Sequence, residues 1–104
     1  MVSPPVGYIR LTLEVFREGK SYVSRCRELG VASCGDSVEE ALEAVKEATT
    51  EYLNAIETLG ERHRIFTEKG IVIHRSRPRV PETQAAVAPA ELTKTVVLPV
   101  PRAA

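Results

Sequence analysis

The chain has 104 residues, with 14 Lys and Arg balanced by 14 Asp and Glu, and two cysteines. That length allows one domain with a modest core, zero net charge argues against a general nucleic-acid binder, and two cysteines are too few for a disulfide scaffold. No stretch is apolar enough to span a membrane, and Ser3-Pro4-Pro5 is too polar for a signal-peptide core, so the expectation is a reduced, cytoplasmic protein.

Residues 1–6 read as a flexible lead-in, because Pro4-Pro5 cannot sit inside a strand. Tyr8–Phe16 alternates: Ile9, Leu11, Leu13 and Val15 share one side, Arg10, Thr12 and Glu14 the other. That pattern predicts a half-buried antiparallel strand. Arg17-Glu18-Gly19-Lys20 is a turn, with Gly19 free to take a positive φ. Ser21–Cys26 is the return strand, Arg27–Gly30 a second turn, and Val31–Gly35 a third short strand.

Asp36–Gly60 then reads as one long amphipathic helix. Asp36 with Glu39, or Ser37 with Glu40, supplies the N-terminal cap. Val38, Ala41, Leu42, Val45, Ala48, Tyr52, Leu53, Ile56 and Leu59 recur at spacings of three and four and form the apolar stripe. Gly60 suits a left-handed stop. The stripe needs a flat apolar partner, and the Ile9–Val15 face is the simplest one available.

Glu61–Lys69 reads as a short second helix anchored by Ile65 and Phe66 and ended by Gly70. Ile71–His74 is β-branched and reads as a fourth, edge strand, which the helical crossover could place parallel to the first. The domain so defined covers residues 7–74. Residues 75–104 form a Pro-rich linker and a C-terminal strand arm, Thr93–Val100, whose apolar residues would add to a sheet edge of the same domain or of a second subunit. The architecture predicted is α+β: a three-stranded antiparallel meander plus an edge strand, packed on one long helix. Val96, Val97, Leu98 and Val100 are the candidates for an oligomer interface, and a homo-oligomer, dimer or tetramer, is expected.

Charge is segregated along the chain. Between Asp36 and Gly60 the acids are Asp36, Glu39, Glu40, Glu43, Glu47, Glu51 and Glu57, against Lys46 alone. Between Arg62 and Arg79 the bases are Arg62, Arg64, Lys69, Arg75, Arg77 and Arg79, against Glu68 alone. Arg75, Arg77 and Arg79 are weak candidates for phosphate contacts, since no aromatic platform accompanies them in sequence. His63 and His74 do not have the spacing of a metal site, and no cofactor motif is present. A hairpin centred near Glu28-Leu29 sets Cys26 opposite Val31 or Ala32 and leaves Cys26 and Cys34 as free thiols.

The segment FREGKSYVSRCRELGVASCGDSVEEALEAVKEATTEYLNAIETLGE resembles the HicB-like antitoxin family of type II toxin–antitoxin systems, in its N-terminal domain. The matching features are a strand–turn–strand with Tyr22, then Glu28-Leu29-Gly30, Gly35-Asp36-Ser37, Glu39-Glu40-Ala41, the long helix, and the ending Phe66–Ile71. The resemblance spans roughly Gly7–Ile73. It implies a β-β-β-α-β domain like a partial ribonuclease H fold, and a protein that blocks a small HicA-like, RNA-cleaving toxin. Residues 75–104 depart from the family, being too short and too Pro-rich for the C-terminal DNA-binding domain that many members carry.

A ribonuclease H-like outline raises the question of catalysis, which needs clustered carboxylates holding metal ions. The first strand offers only Glu14, and Asp36, Glu40, Glu43, Glu47 and Glu51 form a stripe rather than a cluster, so no enzyme is expected. An RNA-cleaving toxin carries a basic surface, which makes Glu40, Glu43 and Glu47 the expected partner-binding residues. Without a toxin, the same fold would serve as a solitary oligomeric interaction module. A nucleic-acid regulator using the basic run from Arg62 to Arg79 is the third reading.

Overall fold

The computed structural model describes residues 4–79, 84–85 and 90–102. Five strands, β1 (Gly7–Glu18), β2 (Ser21–Cys26), β3 (Ala32–Gly35), β4 (Gln84–Ala85) and β5 (Leu92–Val100), accompany two helices, α1 (Val38–Thr58) and α2 (Arg62–Lys69). The sheet is antiparallel throughout, in the order β3-β2-β1-β5-β4. The architecture is α+β: the meander β1-β2-β3 leads into one long helix that lies across its face.

The alternation in β1 decides which face the helix takes. Ile9, Leu11, Leu13 and Val15 are at most 1% exposed, and the first three join Val45, Leu53 and Ile56 of α1 in one core. Ser37, not Asp36, caps α1: its hydroxyl accepts from the Glu40 amide at 3.1 Å. Thr49 joins the buried stripe, its hydroxyl donating to the Val45 carbonyl at 2.7 Å, so that this hydroxyl is satisfied. The stripe stops at Ile56. Leu59, the C-cap residue just after α1 ends at Thr58, is 73% exposed. Gly35 lets β3 run directly under the first turn of α1: a Cβ there would sit 2.6 Å from the Ala41 amide nitrogen.

Two expectations are corrected. Ile71–His74 is not a strand. It makes one antiparallel bridge, His74 with Tyr8, with both N–H···O bonds at 2.8 Å. The contact with β1 is antiparallel rather than parallel, and it is short because β2 occupies one side of β1 from Leu13 onward and β5 occupies the other from Gly7 to Val15. Only the start of β1 is free on the β2 side. Gly7 permits the crossing, because a Cβ there would lie 2.5 Å from Ile73 Cγ2.

The second correction concerns the expected interface residues Leu98 and Val100: of the two sheet edges open to the C-terminal strand, it takes that of its own domain. β5 pairs with β1 of its own chain from Gly7 opposite Val100 to Val15 opposite Leu92. Leu98 and Val100, expected at a subunit interface, are 5% and 0% exposed in this chain's own core, since they sit opposite Ile9 and Gly7 on the helix side of the sheet. Val96 and Val97 remain half-buried.

Candidate interaction surface

The acidic stripe is on the outside of α1. Glu39, Glu40, Glu43, Glu47 and Glu51 are all exposed, and none of them enters an ion pair among the described residues. Glu40, Glu43, Glu47 and Glu51 follow at steps of three and four, so they line one helix face over about 16 Å at 1.5 Å per residue. Glu39 and Glu40 also lie in the first turn, where the helix dipole favours carboxylates.

One feature of this face is invisible in the sequence. α1 packs mainly on β1, β2 and β3, so a groove is left between it and β5. Its volume is about 180 Å³. Leu13, Leu42 and Val96 line it with apolar surface, while Glu39, Glu43, Lys46 and Lys94 form its rim. Only the register of β5 on β1 brings Val96 beside Leu42, more than fifty positions apart in the chain. Of the expected partner-binding residues, Glu43 stands at this groove, with Glu40 and Glu47 on the same helix face.

Part of the basic run is tied up in local contacts. Arg62 is ion-paired with Glu57, and Arg64 with Glu61 and Glu68. Arg77 turns over the Tyr8 ring, 5.8 Å from its centroid, and its guanidinium donates to the Val97 carbonyl at 3.4 Å. Lys69, Arg75 and Arg79 are exposed. Of the nucleic-acid candidates, Arg75, Arg77 and Arg79 are all exposed, and Arg77 is held at the sheet.

The opposite face of the sheet carries a second charged group. Glu14 is 7% exposed and accepts from Arg25 Nε at 2.9 Å and from Arg27 Nη2 at 3.0 Å. The hydrogen bond from Arg27 is the largest influence on Glu14 and holds its pKa below the ordinary carboxylate value; burial opposes this and Arg25 adds to it. Glu28 reaches across from the β2–β3 turn, accepting from the Thr12 amide at 2.7 Å and the Thr12 hydroxyl at 2.9 Å. It thereby satisfies β1 where β2 has turned away.

Cys26 is buried on the helix side, opposite Leu13, and burial is the main reason its thiol pKa is raised. Cys34 is exposed on the other face, opposite Val23. Both thiols are free. Among the described residues no group of three His, Cys, Asp or Glu is placed to hold a metal ion, and no helix is long and apolar enough to cross a membrane.

Searches against protein-family models, curated proteins and solved structures give no significant match to this chain.

Proposed function

We propose that the protein is a non-catalytic, HicB-like antitoxin module that binds and neutralises a small, basic, RNA-cleaving protein. The reading rests on the sequence resemblance and on one structural observation: a continuous acidic face on α1, free of internal ion pairs among the described residues, beside an apolar groove. Such a combination suits a protein partner. The carboxylates steer a basic surface and compete with RNA for it, while the groove accepts an apolar side chain that removes water from the contact.

The test is co-expression with a HicA-like toxin encoded beside the gene. Wild-type protein is expected to restore growth and to co-purify with the toxin. Combining Glu40→Lys, Glu43→Lys and Glu47→Lys should abolish both while leaving the circular dichroism spectrum unchanged, because all three side chains are exposed. Full neutralisation by the triple variant refutes the reading.

A further inference from the structure

The side of the sheet turned away from α1 carries its own constellation, and the antitoxin reading does not use it. β1 presents Tyr8, Arg10, Thr12, Glu14 and Phe16 there, by the alternation that sends Ile9, Leu11, Leu13 and Val15 to the core. Strand pairing adds Arg25 from β2, and Thr93, Thr95 and Val97 from β5. The β2–β3 turn adds Arg27, and the segment after α2 adds Arg77. Four arginines thus share one surface with two aromatic rings. Arg25 stacks over Phe16 at 5.0 Å from the ring centroid, and Arg77 over Tyr8 at 5.8 Å. Among the described residues no helix covers this face.

The zero net charge therefore hides a two-sided molecule. One side is the acidic helix; the other is an arginine-bearing sheet.

We propose that this outer face binds single-stranded polynucleotide, with the arginines on phosphates and with bases stacked on the guanidinium planes that Phe16 and Tyr8 support from beneath. Charge complementarity is the first argument. Arg25 and Arg27 remain 55% and 56% exposed even though Glu14 fixes one edge of each. A guanidinium has five N–H donors, so an arginine anchored through one of them keeps the rest for a phosphate and loses less freedom on binding. Shape is the second argument. Two depressions adjoin at Arg10: one of about 300 Å³ lined by Arg10, Thr12, Glu28 and Thr95, and one of about 240 Å³ that adds Lys69 and His74. Glu28 lies in both, but its two carboxylate oxygens are engaged by Thr12. The third argument is the aromatic pair. Tyr8 and Phe16 lie eight residues apart on one side of β1, about 27 Å at 3.4 Å per residue. A sheet face with two separated guanidinium planes, each backed by a ring, and further arginines between them matches the needs of a flexible strand, whose bases can each stack on such a plane. A rigid duplex has no unstacked base to offer.

Fluorescence anisotropy with short labelled strands of RNA and of DNA, of the same sequence and with the full-length chain, tests this. Wild-type protein should bind and should weaken as salt rises. Arg10→Glu with Arg77→Glu should weaken binding roughly tenfold or more and flatten its salt dependence. Phe16→Leu, which keeps the fold but removes the ring, should weaken it roughly fivefold. Asn54→Glu, exposed on α1, should leave it unchanged. Binding of either strand type that is lost in the double variant supports the surface, and the ratio of the two affinities identifies RNA or DNA as the source. If neither strand binds, or both bind the double variant as well as wild type, the proposal is overturned. It is also overturned if the double variant instead breaks up a self-assembled species, since the face would then be occupied by the acidic helix of a second copy.

Discussion

The two faces of β1 are held by different physics. Toward α1, Ile9, Leu11, Leu13 and Val15 are closed off from water, and the first three share one core with Val45, Leu53 and Ile56. Away from α1, Arg10 is exposed, Glu14 is held by two arginines, Thr12 by Glu28, and Tyr8 and Phe16 lie under guanidinium groups. Burial of apolar surface scales with area and has no substitute once lost. Ion pairs at a half-open surface trade against water and yield little net stability. One strand therefore separates the requirement to fold from the freedom to bind, and substitutions on its two sides should differ accordingly.

The largest effect is expected on the helix side. Leu11→Ala leaves a cavity between β1 and α1 and should cost about 3 kcal/mol, within the range typical of buried leucines. Urea unfolding measures it. A loss below about 1 kcal/mol would mean that the core closes over the gap, and the contrast between the faces would fail.

Much of this arrangement is legible in the sequence, for reasons that differ by element. α1 announces itself through its 3.6-residue stripe and a choice of caps, all local features. β1 shows its two faces by strict alternation. Ile71–His74 misleads because β-branched composition reports a preference for extended backbone but says nothing about whether an unpaired edge is within reach. β5 is recognisable as a strand, yet its neighbour is set by long-range pairing, so Leu98 and Val100 could not be assigned to this chain's core in advance. The same holds for the groove at Leu42 and Val96, and for Arg77 above Tyr8. Phe16 and Arg25 were within reach, since the hairpin through Gly19 sets Glu14 opposite Arg25 and so places Phe16 one diagonal step away. Charge runs counted along the chain hid this, because alternate residues in a strand belong to opposite surfaces.

An intermediate effect is expected at Glu14. Glu14→Gln removes the charge that holds Arg25 and Arg27, and about 1 kcal/mol should be lost near neutral pH, since both arginines can turn to solvent. The sign of the pH dependence follows from the depressed pKa. The stabilisation is complete above the unfolded carboxylate value of about 4.3 and disappears as pH falls through the lower folded value. Wild-type and variant stabilities, measured by urea unfolding across this window, should therefore converge in acid. A gap that persists at the acid end would place the effect in packing rather than charge, making Glu14 resemble the helix-side residues.

The smallest effect is expected one residue from a core position. Val97 faces outward opposite Arg10, while Leu98 beside it is buried opposite Ile9. Val97→Thr keeps the β-branch and the strand preference, so stability should change by less than about 0.5 kcal/mol. Light scattering should show no change in mass. Unfolding measured at two protein concentrations sharpens the comparison further. If the variant loses more than about 1.5 kcal/mol, and the loss grows with concentration, then Val97 is covered by a second copy in solution, and the outer face is an assembly surface rather than an open one. A loss that is equally large at both concentrations would mean that Val97 is covered within its own chain, and the outer side of the sheet would then share the physics of the core.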